Sequence, residues 1–150
     1  FRKIHFDYTE IDVFEGDLYL PYFGGNKARK ILSLNNSIVE NEYNAIVTTG
    51  GIQSNHCRVT ALFAAQIGVH CTLVLHGSKD EFYNTKGNAL VMRMTDTEFV
   101  FVDSSKIGQA MDSVMSKYYR DGFKHRSFLS KPAAEREYYG YIRKGKQQVR

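Results

Sequence analysis

Residues 44–77 read NAIVTTGGIQSNHCRVTALFAAQIGVHCTLVLHG. The segment Asn44–Thr48 has the length and β-branched content of a short strand, and the polar stretch GGIQS follows it at once. From Asn55 to about Ile67, apolar side chains recur at Val59, Leu62, Phe63 and Ile67, which places them on one side of a helix. Gly68 stands where a helix C-cap is expected. VHCTLVLH, residues 69–76, is a second strand. Strand, loop, helix and strand in this order form a βαβ unit, which implies parallel strands covered on both faces.

The pattern continues on both sides of this unit. Lys27 to about Glu42 carries Ile31, Leu34, Ile38 and Val39 at helical spacing. Downstream, GNALVMRM (87–94) belongs to a helix and EFVFVD (98–103) to a strand, and Ile107, Met111, Val114 and Met115 mark a further amphipathic helix. Near the start, Ile11–Phe14 and Asp17–Leu20 read as two short strands around Glu15-Gly16. The expected fold class is therefore α/β, a parallel sheet flanked by helices.

Bulk properties narrow the class. The chain has 150 residues, 43% of them hydrophobic, enough for one domain with a real core. No apolar run approaches the roughly 18 residues of a membrane span, and FRKIHFDYTE lacks the apolar region of a secretory signal. The expectation is a cytoplasmic protein. Cys57 and Cys71 lack metal-ligand spacing and read as buried thiols. The missing initiator Met suggests a trimmed or incomplete chain. Charge is uneven: residues 1–116 hold 10 basic against 13 acidic side chains, and residues 117–150 hold 10 against 3, within a net +4. The basic tail, with Tyr138, Tyr139 and Tyr141, reads as a solvated or poorly ordered end; tracking a nucleic acid backbone is the less favoured alternative.

In open parallel sheets, ligands bind beyond the carboxyl ends of the strands, where the loop Thr49–Ser54 lies. Gly50-Gly51 permits positive φ and close backbone approach, and Ser54 or Asn55 can cap the next helix. The same dipeptide is also ordinary turn chemistry. Upstream, FGGNKARK (23–30) puts Lys27 in the first turn of its helix. There the positive end of the helix dipole favours the free amine that carbonyl condensation needs, although Lys27, Arg29 and Lys30 read equally as a solvated basic patch. Two helix starts and one lysine together could receive an anionic ligand.

The succession GGNKARK, TTGGIQSNHCRVTALFAAQIGVHCTLVLHG, KGNALVMRM and EFVFVD, over roughly residues 10–122, resembles the pyridoxal-phosphate enzymes grouped as 1-aminocyclopropane-1-carboxylate deaminase and D-cysteine desulfhydrase. These form a branch of the tryptophan synthase β-like, fold-type II family. The resemblance implies pyridoxal 5'-phosphate as cofactor, bound to Lys27 as a Schiff base, with Lys27 also moving protons at the substrate. It implies that Ser54 and Asn55, with the N–H groups of Gln53 to His56, receive the substrate carboxylate, and that Asn55 lies beside the cofactor ring and its phenolic oxygen. Catalytic roles fall to Lys27 and Ser54, cofactor contacts to Lys27, Asn55 and Asn26, and substrate contacts to Ser54, Asn55, His56 and Gln53. Asn88 matches a polar position of unassigned role.

The His at position 56 is what desulfhydrase-like members tend to carry, where the deaminases carry Gln. This implies β-elimination from D-cysteine to pyruvate, ammonia and sulfide; its alternative role is packing. The other activity is 1-aminocyclopropane-1-carboxylate deamination. The implied partners are a small amino acid and, in the full-length protein, further copies of itself, with no membrane and no nucleic acid. The implied organisation is 1–22 as leading strands of a large domain, 23–125 as the domain of the lysine and the substrate loop, and 126–150 as a basic aromatic tail. The family's glycine-rich phosphate loop is not found after Gly122, so a truncated binding or interaction protein without chemistry is the remaining alternative.

Overall fold

The computed structural model describes residues 2–13, 22–23 and 25–129. An antiparallel hairpin comes first, β1 (Arg2–Phe6) and β2 (Thr9–Val13), in a two-stranded sheet of its own. Of the hairpin expected around Glu15-Gly16, Ile11–Val13 is strand but pairs backwards, with Ile4 opposite Ile11. Its second strand, Asp17–Leu20, lies outside the described residues.

Helices α1 (Gly25–Leu32) and α2 (Asn35–Glu40) occupy the stretch read as one helix from Lys27 to Glu42. The break falls at Ser33-Leu34, where Ser33 Oγ donates to the Lys30 carbonyl at 2.8 Å and offers the backbone an alternative to continued helix. Strand β3 (Ala45–Gly51) leads into α3 (Asn55–Ile67), then β4 (His70–His76). Short helices α4 (Lys79–Asn84) and α5 (Asn88–Arg93) precede β5 (Thr97–Val102), and α6 (Ile107–Arg120) precedes β6 (His125–Leu129).

Four strands form one parallel sheet in the order β5-β4-β3-β6. The parallel α/β architecture expected from residues 44–77 is what the chain adopts. Strand β6 lies alongside β3, with His125 opposite Ala45 and Leu129 opposite Thr49, so the sheet runs past residue 125.

Both faces of the sheet are covered, and alternation along the strands sorts the side chains. Ile46, Cys71, Leu73 and Leu75 pack with Ala28, Ile31, Val59, Phe63, Phe82 and Met92 from the helices of one face. Ala45, Val47 and Val74 pack with Met111 and Tyr118 of α6 on the other. The polar side chain of β4, Thr72, is buried and satisfied, its Oγ1 sharing a 2.7 Å hydrogen bond with the Tyr118 hydroxyl. Both cysteines are buried free thiols, as expected, and burial pushes Cys57 up to about 11 and Cys71 to about 12. Gly68 closes α3 in the left-handed region, φ 71°, its N–H donating to the Ala64 carbonyl.

No helix among the described residues is long and apolar enough to cross a membrane, and no group of residues there could hold a metal ion.

Candidate active site

Sheet order fixes where a ligand can approach. From β3 the chain adds β4 and then β5 on one side, and afterwards crosses by α6 to place β6 on the other side of β3. The direction of winding reverses at β3, so the carboxyl end of β3 lies at a topological switch point, the usual ligand crevice of open α/β sheets. The connection there is Ile52–Ser54.

This end is built differently from the sequence reading. Thr49, Gly50 and Gly51 continue the strand instead of opening a loop. Neither glycine has positive φ; among the described residues the left-handed glycines are Gly25, Gly68, Gly77, Gly87 and Gly122. What requires glycine at position 50 is space. A Cβ there would lie 2.6 Å from Cys57 Sγ, 2.7 Å from Ser54 Oγ and 2.8 Å from Ser54 Cβ, and one on Gly51 would lie 3.3 Å from the His76 ring.

Ser54 is the N-cap of α3, half-buried, with Oγ accepting from the Cys57 N–H at 3.3 Å. The Ser54 hydroxyl also pairs with the Cys57 thiol, a hydrogen bond that offsets part of the upward push of burial on that thiol. The N–H groups of Asn55 and His56 precede the first intrahelical bond, from Arg58 N to the Ser54 carbonyl at 3.1 Å, and thus belong to the unpaired positive end of a 13-residue helix. Lys27 lies half-buried in the first turn of α1, and Asn26 is exposed beside it. Helix α1 packs on α3, and the charges of Lys30 and Lys27 reach the His56 ring in the first turn of α3. The helices whose starts were named from the sequence therefore pack against each other, with Lys27 close enough to the first turn of α3 for its charge to act there.

Two of the residues expected at the substrate have their side chains engaged within the protein. The side chain of Gln53 is fully used within the protein: Nε2 donates to Thr85 Oγ1 and the Lys86 carbonyl, and Oε1 accepts from the N–H groups of Asn88 and Ala89. Gln53 is the missing cap of α5, whose own N-cap, Gly87, has no side chain to offer. The His56 ring is 4% exposed and bonds through Nε2 to Thr48 Oγ1 at 2.9 Å. It packs inside the domain, so only its backbone N–H faces the helix start.

Burial, with Lys30 and Lys27 nearby, lowers His56 to about 4 from an ordinary 6.5. Below pH 6.5 the unfolded chain binds a proton that the folded chain refuses until about pH 4, so stability is lost as pH falls through that window. Melting temperatures of wild type and His56→Gln across the window should show the steeper acid slope in wild type; parallel slopes would contradict it.

Asn88 has the role that the sequence left open. Its Nδ2 donates to the Gln53 carbonyl at 2.8 Å and to Asn55 Oδ1 at 2.9 Å. Arg58, absent from the sequence reading, donates through Nη1 to the Oδ1 atoms of Asn88 and Asn55. An open hollow of about 610 Å³ lies at the ends of β4 and β5, lined by His76, Lys79, Phe101 and Lys106 among others. It contains none of Lys27, Ser54 or Asn55, and is not where the lysine lies.

Fold and geometry together give an α/β domain with a capped helix start at the switch point of a parallel sheet and Lys27 on the helix packed beside it. No family model matches the chain. A curated D-cysteine desulfhydrase from Yersinia enterocolitica is 38% identical over 97 residues, which is 63% of this chain and 29% of that protein. A solved ACC deaminase homologue superposes with a TM-score of 0.67 at 28% identity, over 77% of this chain and 35% of its own. A solved O-ureido-L-serine synthase, 18% identical with a TM-score of 0.52 over 70% of this chain and 32% of its own, shares the fold. Over this part of its length the chain is similar to D-cysteine desulfhydrase and to the ACC deaminase homologue, which supports the resemblance to the fold-type II pyridoxal-phosphate enzymes for part of the chain. It spans about a third of the length of these relatives.

Proposed function

We propose that the chain is the lysine-bearing part of a pyridoxal-phosphate-dependent amino-acid lyase, a cytoplasmic homo-oligomer that converts D-cysteine and water to pyruvate, ammonia and hydrogen sulfide. The observation that carries the proposal is the half-buried Lys27 beside the capped start of α3 at the switch point. The residues present fit one end of the cofactor. Lys27 offers the amine that an aldehyde requires. The other end, the phosphate, has no cradle among the described residues, because the glycine pair of β3 is filled by Cys57, Ser54 and His76. The phosphate is therefore assigned to the part of the protein that the relatives have and this chain does not span, with residues 1–22 as the start of that larger domain and 23–125 as the lysine domain.

When bound, the cofactor supplies an electron sink that stabilises negative charge at the substrate Cα. Lys27 would hold the aldehyde end of the cofactor through its amine and would serve as the base that moves the substrate Cα proton. The Ser54 hydroxyl and the N–H groups of Asn55 and His56 receive the substrate carboxylate with charge-assisted hydrogen bonds. Asn55 and Asn26 would be the side chains that contact the cofactor beside Lys27. Gln53 and the His56 ring act on this site only by fixing its backbone. Deamination of 1-aminocyclopropane-1-carboxylate is the second reading, favoured by the superposition on the ACC deaminase homologue.

Borohydride reduction of the chain with pyridoxal phosphate, followed by peptide mapping, tests the lysine. An adduct concentrated on Lys27 is expected, and labelling scattered over exposed lysines would overturn the proposal. The carboxylate role is tested by protection with D-alanine, which has the α-amine and carboxylate but no thiol to trap free aldehyde. Ser54→Ala should raise the half-protecting D-alanine concentration about tenfold, the worth of one good hydrogen bond to a charged group. Half-labelling by pyridoxal phosphate should move far less. Equal losses in both would contradict a carboxylate site at Ser54.

A further inference from the structure

Arg58 stands at the crossing of everything that places the lysine and the helix start. It lies one turn into α3. Through Nη1 it donates to Asn88 Oδ1 at 2.9 Å and Asn55 Oδ1 at 3.2 Å, and through Nη2 to the Tyr22 carbonyl at 3.3 Å. Its guanidinium also lies over the Phe23 ring, 5.4 Å from the centroid. One side chain thus joins α3, α5 and the turn that leads into α1. Nε is buried without an acceptor among the described residues, so the guanidinium is held by these other contacts at the cost of leaving one donor unpaired.

Each contact fixes something at the site. Asn55 Oδ1 accepts from both Arg58 and Asn88. An amide whose oxygen is held from two sides can turn only its NH2 group outward, so Asn55 offers a donor. On the other side, Tyr22 and Phe23 have φ of 62° and 63°, a left-handed conformation that bulky residues adopt only when the surroundings impose it. The Tyr22 ring packs edge-on against Phe63, and its hydroxyl donates to Gln66, both on α3. Arg58 adds a bond to the Tyr22 carbonyl and a cation over Phe23. The turn before Lys27 is pinned to α3 by these contacts, and α3 begins with Ser54 and Asn55.

We infer that Arg58 is a positioning residue of the lysine site: it sets the Asn55 amide with its NH2 group outward and locks the Tyr22-Phe23 turn that places Lys27 against the start of α3. The inference rests on the reading of Lys27 as the cofactor lysine. A lysine in place of Arg58 would carry the charge without the planar fork, and a single ammonium cannot serve Asn55, Asn88 and Tyr22 together.

The test is the rate and selectivity of borohydride-fixed pyridoxal phosphate labelling at Lys27 in the full 150-residue chain, with thermal melting followed in parallel. Arg58→Ala should slow labelling of Lys27 about tenfold or more, while other lysines label as before. Methylguanidinium added to Arg58→Ala should restore most of the rate, which a general folding defect would not allow. Arg58→Lys should also be slow, and it decides the matter if Arg58→Ala does not melt cooperatively. Arg120→Ala, at the far end of α6, should label as wild type. Wild-type selectivity at Lys27 combined with wild-type rates in both Arg58 variants would overturn the inference. Absence of selective Lys27 labelling in the wild-type chain would instead remove the cofactor reading on which it rests.

Discussion

Lys27→Ala should leave the chain folded while removing the borohydride-fixed label from the peptide that contains residue 27. In the full-length enzyme, turnover should fall by about three orders of magnitude or more, as for other groups that act both as nucleophile and as proton carrier. The fold should survive because α1 is anchored by Ala28 and Ile31, both buried. Alanine is the better helix former, and its introduction removes a cation from the positive end of a helix, so stability should change by no more than about 0.5 kcal/mol. A second signal accompanies the loss. Lys27 is one of the charges that hold His56 low, after burial and Lys30. Its removal should move the His56 titration upward, measurable by NMR of the ring protons. Label remaining at the same yield on a neighbouring lysine, with His56 unmoved, would show that Lys27 is one member of a solvated basic patch.

How far the sequence carried depends on which contacts each feature needs. β3, α3 and β4 were legible because their signals are local: alternation, helical spacing, Ser54 at one end of the helix and Gly68 at the other. Helix α4 went unread although its signal is local: Ser78 caps it with Oγ accepting from the Glu81 N–H at 3.2 Å, the S-x-x-E pattern of a helix start. β6 was not legible. Its place beside β3 is set by backbone pairing across some 80 residues, beginning where Lys124 N donates to Asn44 Oδ1 at 2.7 Å.

The same division runs through the site. Lys27 and Ser54 were singled out because a lysine after a glycine turn and a serine before a helix are local patterns. Arg58, Asn88 and the capping role of Gln53 depend on side chains 30 to 36 positions apart. Periodicity contains nothing about such pairs. The packing role that the sequence offered for His56 beside substrate contact needed its partner to be seen, since only the fold brings Thr48 of β3 to the His56 ring.

Gly50→Ala should be the most damaging single methyl that can be added near the site, costing about 3 kcal/mol, the upper part of the overpacking range. Gly50 faces no empty space. The new Cβ would come within 3.0 Å of three atoms, two of them on Ser54. Rotating the Ser54 hydroxyl away relieves one contact but gives up the cap on Cys57 N, itself worth about 1 kcal/mol. It leaves Ser54 Cβ at 2.8 Å, which only a shift of the chain can relieve. The third contact is Cys57 Sγ, buried in the first turn of α3 and unable to swing into solvent. The start of α3 must therefore move as a unit, and with it the Ser54 hydroxyl and the N–H groups of Asn55 and His56. The loss in D-alanine protection should exceed that of Ser54→Ala, because the substitution displaces every carboxylate donor where Ser54→Ala removes one. Thermal melting and the protection assay on the two variants check this together. A Gly50→Ala chain as stable as wild type, with unchanged protection, would mean that the helix start is loose enough to yield without cost, and that the anion-receiving site is not built by the close approach of β3 to α3.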